Sequence, residues 1–312
     1  MTARGWFLFS LMGVVWGIPY LMIKVAVDAV SPPVVVFTRC ALGAALLLPF
    51  ALRQGGLAGT VRTHWRPMLA FAVLEIMGPW FTLTDAERHL SSSTAGLLIA
   101  GVPIVGVVVS RFFVSPDAEH LGPRRITGLM LGLAGVTVLT LPHLTGGDTR
   151  SLGEVLLTVV GYATAPLIAA RSLKNVPSLH LTAACLTLAA LVYAPAAALT
   201  RPSSLPSPAV LAALAGLGVI CTAVAFVAFL ELIKEAGPTR ATVITYVNPA
   251  VAVAAGALLL DEPPTITVLA AFALILTGSV LATAASGPRR STRPVPWSTR
   301  QTSRADGRVE SP

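Results

Sequence analysis

Long apolar blocks, separated at fairly even intervals by short polar segments, run through nearly the whole chain. Each block is long enough for a membrane crossing. A hydrocarbon core of about 30 Å takes roughly 20 residues of helix, and only a helix satisfies its own backbone where lipid cannot. The pattern predicts ten spans, at 6–27, 33–52, 67–84, 91–113, 125–142, 152–170, 178–199, 209–230, 239–260 and 265–285. Chain-breaking residues mark the connectors: Ser31-Pro32-Pro33, Gly55-Gly56, Gly146-Gly147, Pro202 to Pro208, Gly237-Pro238 and Pro263-Pro264. None of these connectors has room for a soluble domain. Arg4 gives the first block the charge of a signal peptide, but its apolar run of about 20 residues exceeds a signal's usual core of about 7–15, so it reads as a span. Residues 287–312 are polar, Pro-rich and basic, and read as a disordered cytoplasmic tail.

Composition agrees with the pattern. With 54% hydrophobic and 12% charged residues and a mean hydropathy of +0.78, the chain falls outside the range of soluble domains. A net charge of +8 would suggest a nucleic-acid partner, so the placement of the basic residues decides. With the N-terminus inside, eleven Lys and Arg fall in cytoplasmic connectors (the tail left out) and three, Arg88, Arg150 and Arg201, in outer ones. That bias is the positive-inside rule, and it implies a lipid bilayer, no nucleic acid, and both termini on the cytoplasmic side of a bacterial plasma membrane. Cys40, Cys185 and Cys221 are scattered within spans, and the five histidines show no ligand spacing, so neither a disulfide framework nor a metal is expected. No P-loop, nucleophile elbow or zinc-protease motif occurs, and no cofactor is implied.

Two of the blocks carry a proline near the middle, Pro103 in LIAGVPIVGV and Pro249 in ITYVNPAVAV, 146 residues apart. The same offset pairs Trp16 with Tyr162, Leu42 with Leu188, Pro49 with Pro195 and Ala95 with Ala241, and near the end it shortens to pair Gly135 with Gly278. The chain therefore reads as two five-helix repeats, residues 1–145 and 146–286. Because five is odd, the second copy enters the membrane in the opposite direction. The fold expected is an all-α integral membrane protein of ten helices in two inverted repeats, an arrangement typical of secondary transporters with interrupted helices at the midplane. Pro103 and Pro249 are the candidate interruptions, each removing a backbone donor; the plainer reading is a kink facing lipid.

Gly13-x-x-Trp16-Gly17 in the first span, Arg39 early in the second, the mid-helix prolines of the fourth and ninth, LLLDEPPT at 258–265 and the Gly-rich fifth and tenth spans together resemble the EamA-type branch of the drug/metabolite transporter superfamily. The resemblance implies a carrier of small metabolites, often an exporter of amino acids or related compounds, working by alternating access. It implies a cavity lined by spans one to four and six to nine. Two other readings are kept, a multidrug efflux carrier and a membrane-embedded lipid-modifying enzyme. The enzyme is disfavoured because the ionisable residues are isolated.

The residue pattern supplies candidates for a small-molecule site: Trp16, Tyr20, Arg39, Glu75, Tyr162, Thr245, Tyr246 and Asn248. Trp16, Tyr20 and Lys24 share a helical face, as do Glu75, Pro79 and Thr82, and Thr242, Thr245 and Pro249. Against a binding role, Trp16 and Tyr20 fit simple packing, Trp80 fits an interfacial belt, and Lys24 fits snorkelling beside Asp28. Arg39 and Glu75, inside spans, need an anion and a cation; each other or a substrate would serve. Gly13-x-x-x-Gly17 and Gly128-x-x-x-Gly132 permit close helix packing, within the chain or in a homodimer. A reporter fused after Gly147 is expected outside the cell and one fused in the 287–312 tail inside. Finding both on one side would sink the inverted arrangement.

Overall fold

The computed structural model describes residues 1–89, 122–140, 149–248 and 266–283, with Ala95, Leu98, Ile99, Gly101, Val102, Pro103, Val105, Gly106, Val109 and Val251 as separate positions between them. Every regular element among the described residues is helical. Eight long helices are present: α1 (Ala3–Val27), α2 (Pro32–Gln54), α3 (Leu57–Ala86), α4 (Pro123–Thr140), α5 (Thr149–Ser172), α6 (Ser178–Leu199), α7 (Pro208–Ala236) and α8 (Ile266–Thr283). Six of these, α1–α3 and α5–α7, are long and apolar enough to cross a membrane. They correspond to expected spans one to three and six to eight, and α4 and α8 to the fifth and tenth. Most of the fourth span, half of the ninth, Pro249 and the 287–312 tail lie outside the described residues.

Local chemistry accounts for the helix ends. The Thr2 side chain caps α1 by accepting from the Gly5 N–H, and Ser207 caps α7 by accepting from Val210. Pro32 and Pro208 stand at first helical positions, where a missing N–H costs nothing. Gly55 and Gly56, at φ 75° and 77°, turn the chain within two residues. That tight turn lets α3 begin at Leu57, ten residues before the predicted start at 67, with its first turns largely exposed.

The long helices pair across the two halves of the chain: α1 with α7, α3 with α5, α2 with α6, and α4 with α8. All four pairs are antiparallel. The start of α1 meets the end of α7, and its end meets the start of α7. Asp85 meets Arg150 and, further along, Thr82 meets Thr158. Ser31 lies against Thr200 and Gly43 against Leu186. Small residues allow close approach of α4 and α8, where a Cβ on Gly128 would lie 2.5 Å from Ala282 N and one on Gly278 would lie 2.5 Å from Gly132 N. Gly13 and Gly17 face Val247 and Val251. All four glycines of the two Gly-x-x-x-Gly motifs are thus used within the chain. Phe7, Phe50, Leu157 and Leu191 point outward, as a lipid-facing surface requires.

Gly278→Leu should force α4 and α8 apart, at an overpacking cost of about 1–3 kcal/mol. Thermal unfolding of the detergent-solubilised protein checks it, with Gly59→Ala as the control, since nothing lies within 4 Å of a Cβ there. Equal unfolding temperatures for the two variants would refute the glycine contact.

Candidate functional site

Three helices are irregular at mid-length, and the irregular segments surround one cavity. In α1 the helix breaks over Trp16–Ile18, ahead of Pro19. Proline lacks the N–H that Val15 O would accept from; Cys221 Sγ donates to that carbonyl instead, at 3.4 Å. In return Trp16 Nε1 donates to Cys221 O at 3.1 Å. Helix α3 widens to a π-helix over Ala72–Met77 and α7 does the same over Val219–Val224. The two widened turns stand at equivalent places under the 146-residue offset, give or take one residue. Met77 O, where the widened turn of α3 ends, accepts from the Tyr193 hydroxyl at 2.8 Å.

The widened turn in α3 changes which residues share a face. An α-helix would align Glu75 with Pro79 and Thr82, the stripe expected from sequence. A π-turn advances the register by one residue. Glu75, Trp80 and Leu83 accordingly face the cavity, while Thr82 turns to α5 and meets Thr158 Oγ1 at 2.7 Å. Trp80 is therefore a buried cavity wall, 2% exposed, and not the interfacial belt residue anticipated.

The cavity encloses about 640 Å³, its open mouth included. Its lining includes Trp16, Tyr20, Arg39, Glu75, Tyr162, Thr245 and Asn248, seven of the eight candidates read from sequence. Tyr246, the eighth, is not part of the lining; its ring packs where a Cβ on Gly132 would sit, 2.6 Å away, so it seats the 244–248 segment against α4. Pro103 is helical and buried. Thr242, on the same predicted stripe as Thr245, also lines the cavity, as do Trp80, Phe226 and Phe229, which sequence periodicity did not nominate as site residues.

The polar groups are distributed unevenly. Arg39 lies with its guanidinium 3.6 Å from the Trp80 ring centroid and its Nε donating to Thr222 Oγ1 at 3.1 Å. No ion pair joins it to Glu75, so the static pair left open by the sequence is not formed. Glu75 is 2% exposed, and its Oε2 has no hydrogen-bond partner; Asn248 Oδ1 is likewise buried and unpartnered. A cation and a buried carboxyl thus share one aromatic-walled space, each with capacity left over. Among the described residues no His/Cys/Asp/Glu cluster fit for a metal occurs.

One buried acid was missed altogether. Glu87, one residue beyond the end of α3, is fully buried and both its carboxylate oxygens lack partners. Lys24 Nζ, expected beside Asp28, donates to the Glu87 backbone carbonyl at 3.1 Å instead. Burial pushes the Glu87 carboxyl well above the usual carboxylate range, against the opposing pull of the Lys24 and Arg39 charges.

Comparison with known proteins gives a consistent picture. The profile of the EamA-like transporter family matches residues 3–141 and again 152–284. An uncharacterised inner membrane transporter of Escherichia coli, YedA, is 26% identical over 254 residues, covering 80% of each chain. An uncharacterised transporter of Archaeoglobus fulgidus is 22% identical over 88% of this chain and 97% of its own, and the Bacillus subtilis transporter YdfC, also uncharacterised, is 26% identical over 82% and 83%. A solved crystal structure superposes with a TM-score of 0.75 at 21% identity, covering 91% of this chain and 97% of that one, which shows the fold alone.

The Glu87 environment sets a pH dependence. Folded protein holds the Glu87 proton to higher pH than unfolded chain does, so this group's contribution to stability is present at acid pH. It is lost as pH rises from the ordinary glutamate value, about 4.3, through the raised folded value. Glu87→Gln, which stays neutral, should therefore gain unfolding temperature over the parent increasingly as pH rises. Parallel curves for parent and variant across that range would contradict a neutral buried Glu87.

Proposed function

The chain belongs to the EamA-like transporter family, and from that premise we propose that it is a secondary carrier exporting small zwitterionic metabolites, amino acids or their close relatives, by alternating access. The observation that carries the substrate class is the unpaired presence of Arg39 and Glu75 in one buried cavity. A guanidinium whose Nε is already held by Thr222 presents its remaining N–H groups to a carboxylate, for which its planar fork is suited. Glu75 presents a carboxyl to an ammonium or a proton. A ligand carrying both charges satisfies both groups at once, where a singly charged one leaves a buried group uncompensated. The aromatic walls of Trp16, Tyr20, Tyr162 and Phe226 suit an apolar side chain.

The antiparallel pairing of helices across the halves supports inverted repeats of residues 1–145 and 146–286, with the cavity between them. Export is the direction the family resemblance implies, across a bacterial cytoplasmic membrane with both termini inside. A second reading, efflux of lipophilic cations, is favoured by the number of aromatic rings around Glu75. A lipid-modifying enzyme has less support, since the cavity holds no nucleophile set beside a base.

Spent-medium metabolites from cells lacking and overproducing the protein would name the substrate, and counterflow of the labelled compound in proteoliposomes would test it. Glu75→Gln should yield folded protein in parent amounts, because no partner of Glu75 is orphaned, while flux falls at least about tenfold, the effect of losing roughly 1.4 kcal/mol of binding. Arg39→Lys, which loses the fork and the Thr222 bond, should also reduce flux. Movement of lipophilic cations without amino acids would decide for the second reading. A Glu75→Gln variant with parental flux at every pH would rule out an essential carboxyl.

A further inference from the structure

Two ion-pair triads stand at opposite ends of the molecule. At one, Arg4 Nη2 meets Glu231 Oε2 at 3.0 Å and Lys234 Nζ meets Glu231 Oε1 at 3.2 Å, joining the start of α1 to the end of α7. At the other, Arg150 Nη2 meets Asp85 Oδ2 at 2.9 Å and Arg88 Nη1 meets Asp85 Oδ1 at 3.2 Å, joining the start of α5 to the end of α3. Lys24, at the far end of α1 from Arg4, bonds the end of α3, which places the second triad at the opposite end of α1 from the first. Trp16 and Tyr20, midway along α1, line the cavity between the two levels.

The triads are counterparts in sequence as well. The offset of 146 that relates Pro103 to Pro249 carries Arg4 onto Arg150, Asp85 onto Glu231 and Arg88 onto Lys234. Three charged positions coincide in sign, and each acid meets one cation three residues along its own helix and one arginine from the other half, so that the Arg4 and Arg150 bonds are the ones that cross; Glu231 also accepts from Ser178 Oγ, and Arg150 also meets Glu154. Packing of apolar helices does not require such agreement at six charged sites, five of them exposed or half-exposed and Asp85 buried. The arginines that cross between helices are 67% and 74% exposed, so each bond is weak and reversible. Weakness suits a contact that must open once per cycle.

We infer that the two triads are the paired gates of the carrier: Arg4–Glu231–Lys234 closes the cytoplasmic end and Arg150–Asp85–Arg88 the outer end, each opening while the other holds. The inference rests on the alternating-access reading above. Breaking one gate shifts the population toward the state open on that side, by no more than the pair's own contribution.

The test reads access directly and needs no substrate. In a chain with Cys40 and Cys185 replaced by alanine and Cys221 by serine, which keeps a donor for Val15 O, Thr245→Cys places a reporter thiol in the cavity wall. A membrane-impermeant maleimide is applied to intact cells and to inside-out vesicles, and the outer-to-inner labelling ratio is measured. Arg150→Ala should raise that ratio about two- to fivefold and Arg4→Ala lower it by a similar factor, the range one exposed ion pair carries. Asp85→Asn and Glu231→Gln, which remove the acid at which each crossing bond ends, should shift it in the same two directions, which keeps the test falsifiable should an arginine variant fold poorly. Arg150→Lys and Arg4→Lys, which keep the charge, should stay near the parent. Shifts in the same direction for both triads, or unchanged ratios in folded variants, would show that the triads only staple the helices and overturn the gates. Labelling from a single face in the parent and in every variant would overturn alternating access itself.

Discussion

A backbone carbonyl released inside a bilayer must find a donor, because lipid offers none, and the centre of this protein is built around that requirement. Val15 O, freed ahead of Pro19, takes the Cys221 thiol; Cys221 O, in a widened turn, takes the Trp16 indole; Met77 O, at the end of the other widened turn, takes the Tyr193 hydroxyl. Each donor comes from the opposite half of the chain. Helices α1, α3 and α7 are free to break at mid-depth only because their partners are interleaved with them. The cavity exists where they break.

The long helices pair across the halves and two widened turns stand at equivalent positions, but the chemistry of the two halves differs. Under the 146-residue offset Glu75 corresponds to Cys221, Arg39 to Cys185 and Glu87 to Ile233. Among the described residues the charged groups lining the cavity, Arg39 and Glu75, come from the first half, and the second half has cysteine at both of the corresponding places. Trp16 against the Cys221 turn and Tyr162 within electrostatic reach of Glu75 are counterparts with different consequences: one is a structural hydrogen bond, the other a polar edge of the cavity. The conserved sense of charge is confined to the two outer ends, where Arg4 with Glu231 and Arg150 with Asp85 repeat the same bond.

Much of the architecture was legible in the chain, since the free energy of burying an apolar block in lipid depends on the block alone. The six membrane-length helices, their boundaries to within a few residues for most, and the Gly and Pro turn residues between them followed from local composition. The largest boundary error, at the start of α3, came from reading an exposed, polar first turn as connector. The site was legible to the extent that a charge or an aromatic inside an apolar span has few innocuous explanations. Trp16, Tyr20, Arg39, Glu75, Tyr162, Thr245 and Asn248 stood out for that reason and share one cavity.

Direction around a helix axis was another matter. A single widened turn brings Trp80 alongside Glu75 and sends Thr82 to α5, and nothing in the residues 72–77 announces that turn. Tyr246, adjacent in sequence to Thr245, is claimed by a gap at Gly132 more than a hundred residues away. Arg39 takes Trp80 and Thr222 in preference to Glu75, and Glu87, which the hydropathy pattern places outside any span, is sealed by the neighbouring helices. By itself the sequence determined which segments are helical and apolar, how the positive charge is distributed and which side chains needed partners. Only the tertiary structure decided who those partners are, because the azimuth and register of each helix are set by contacts with helices distant in the chain.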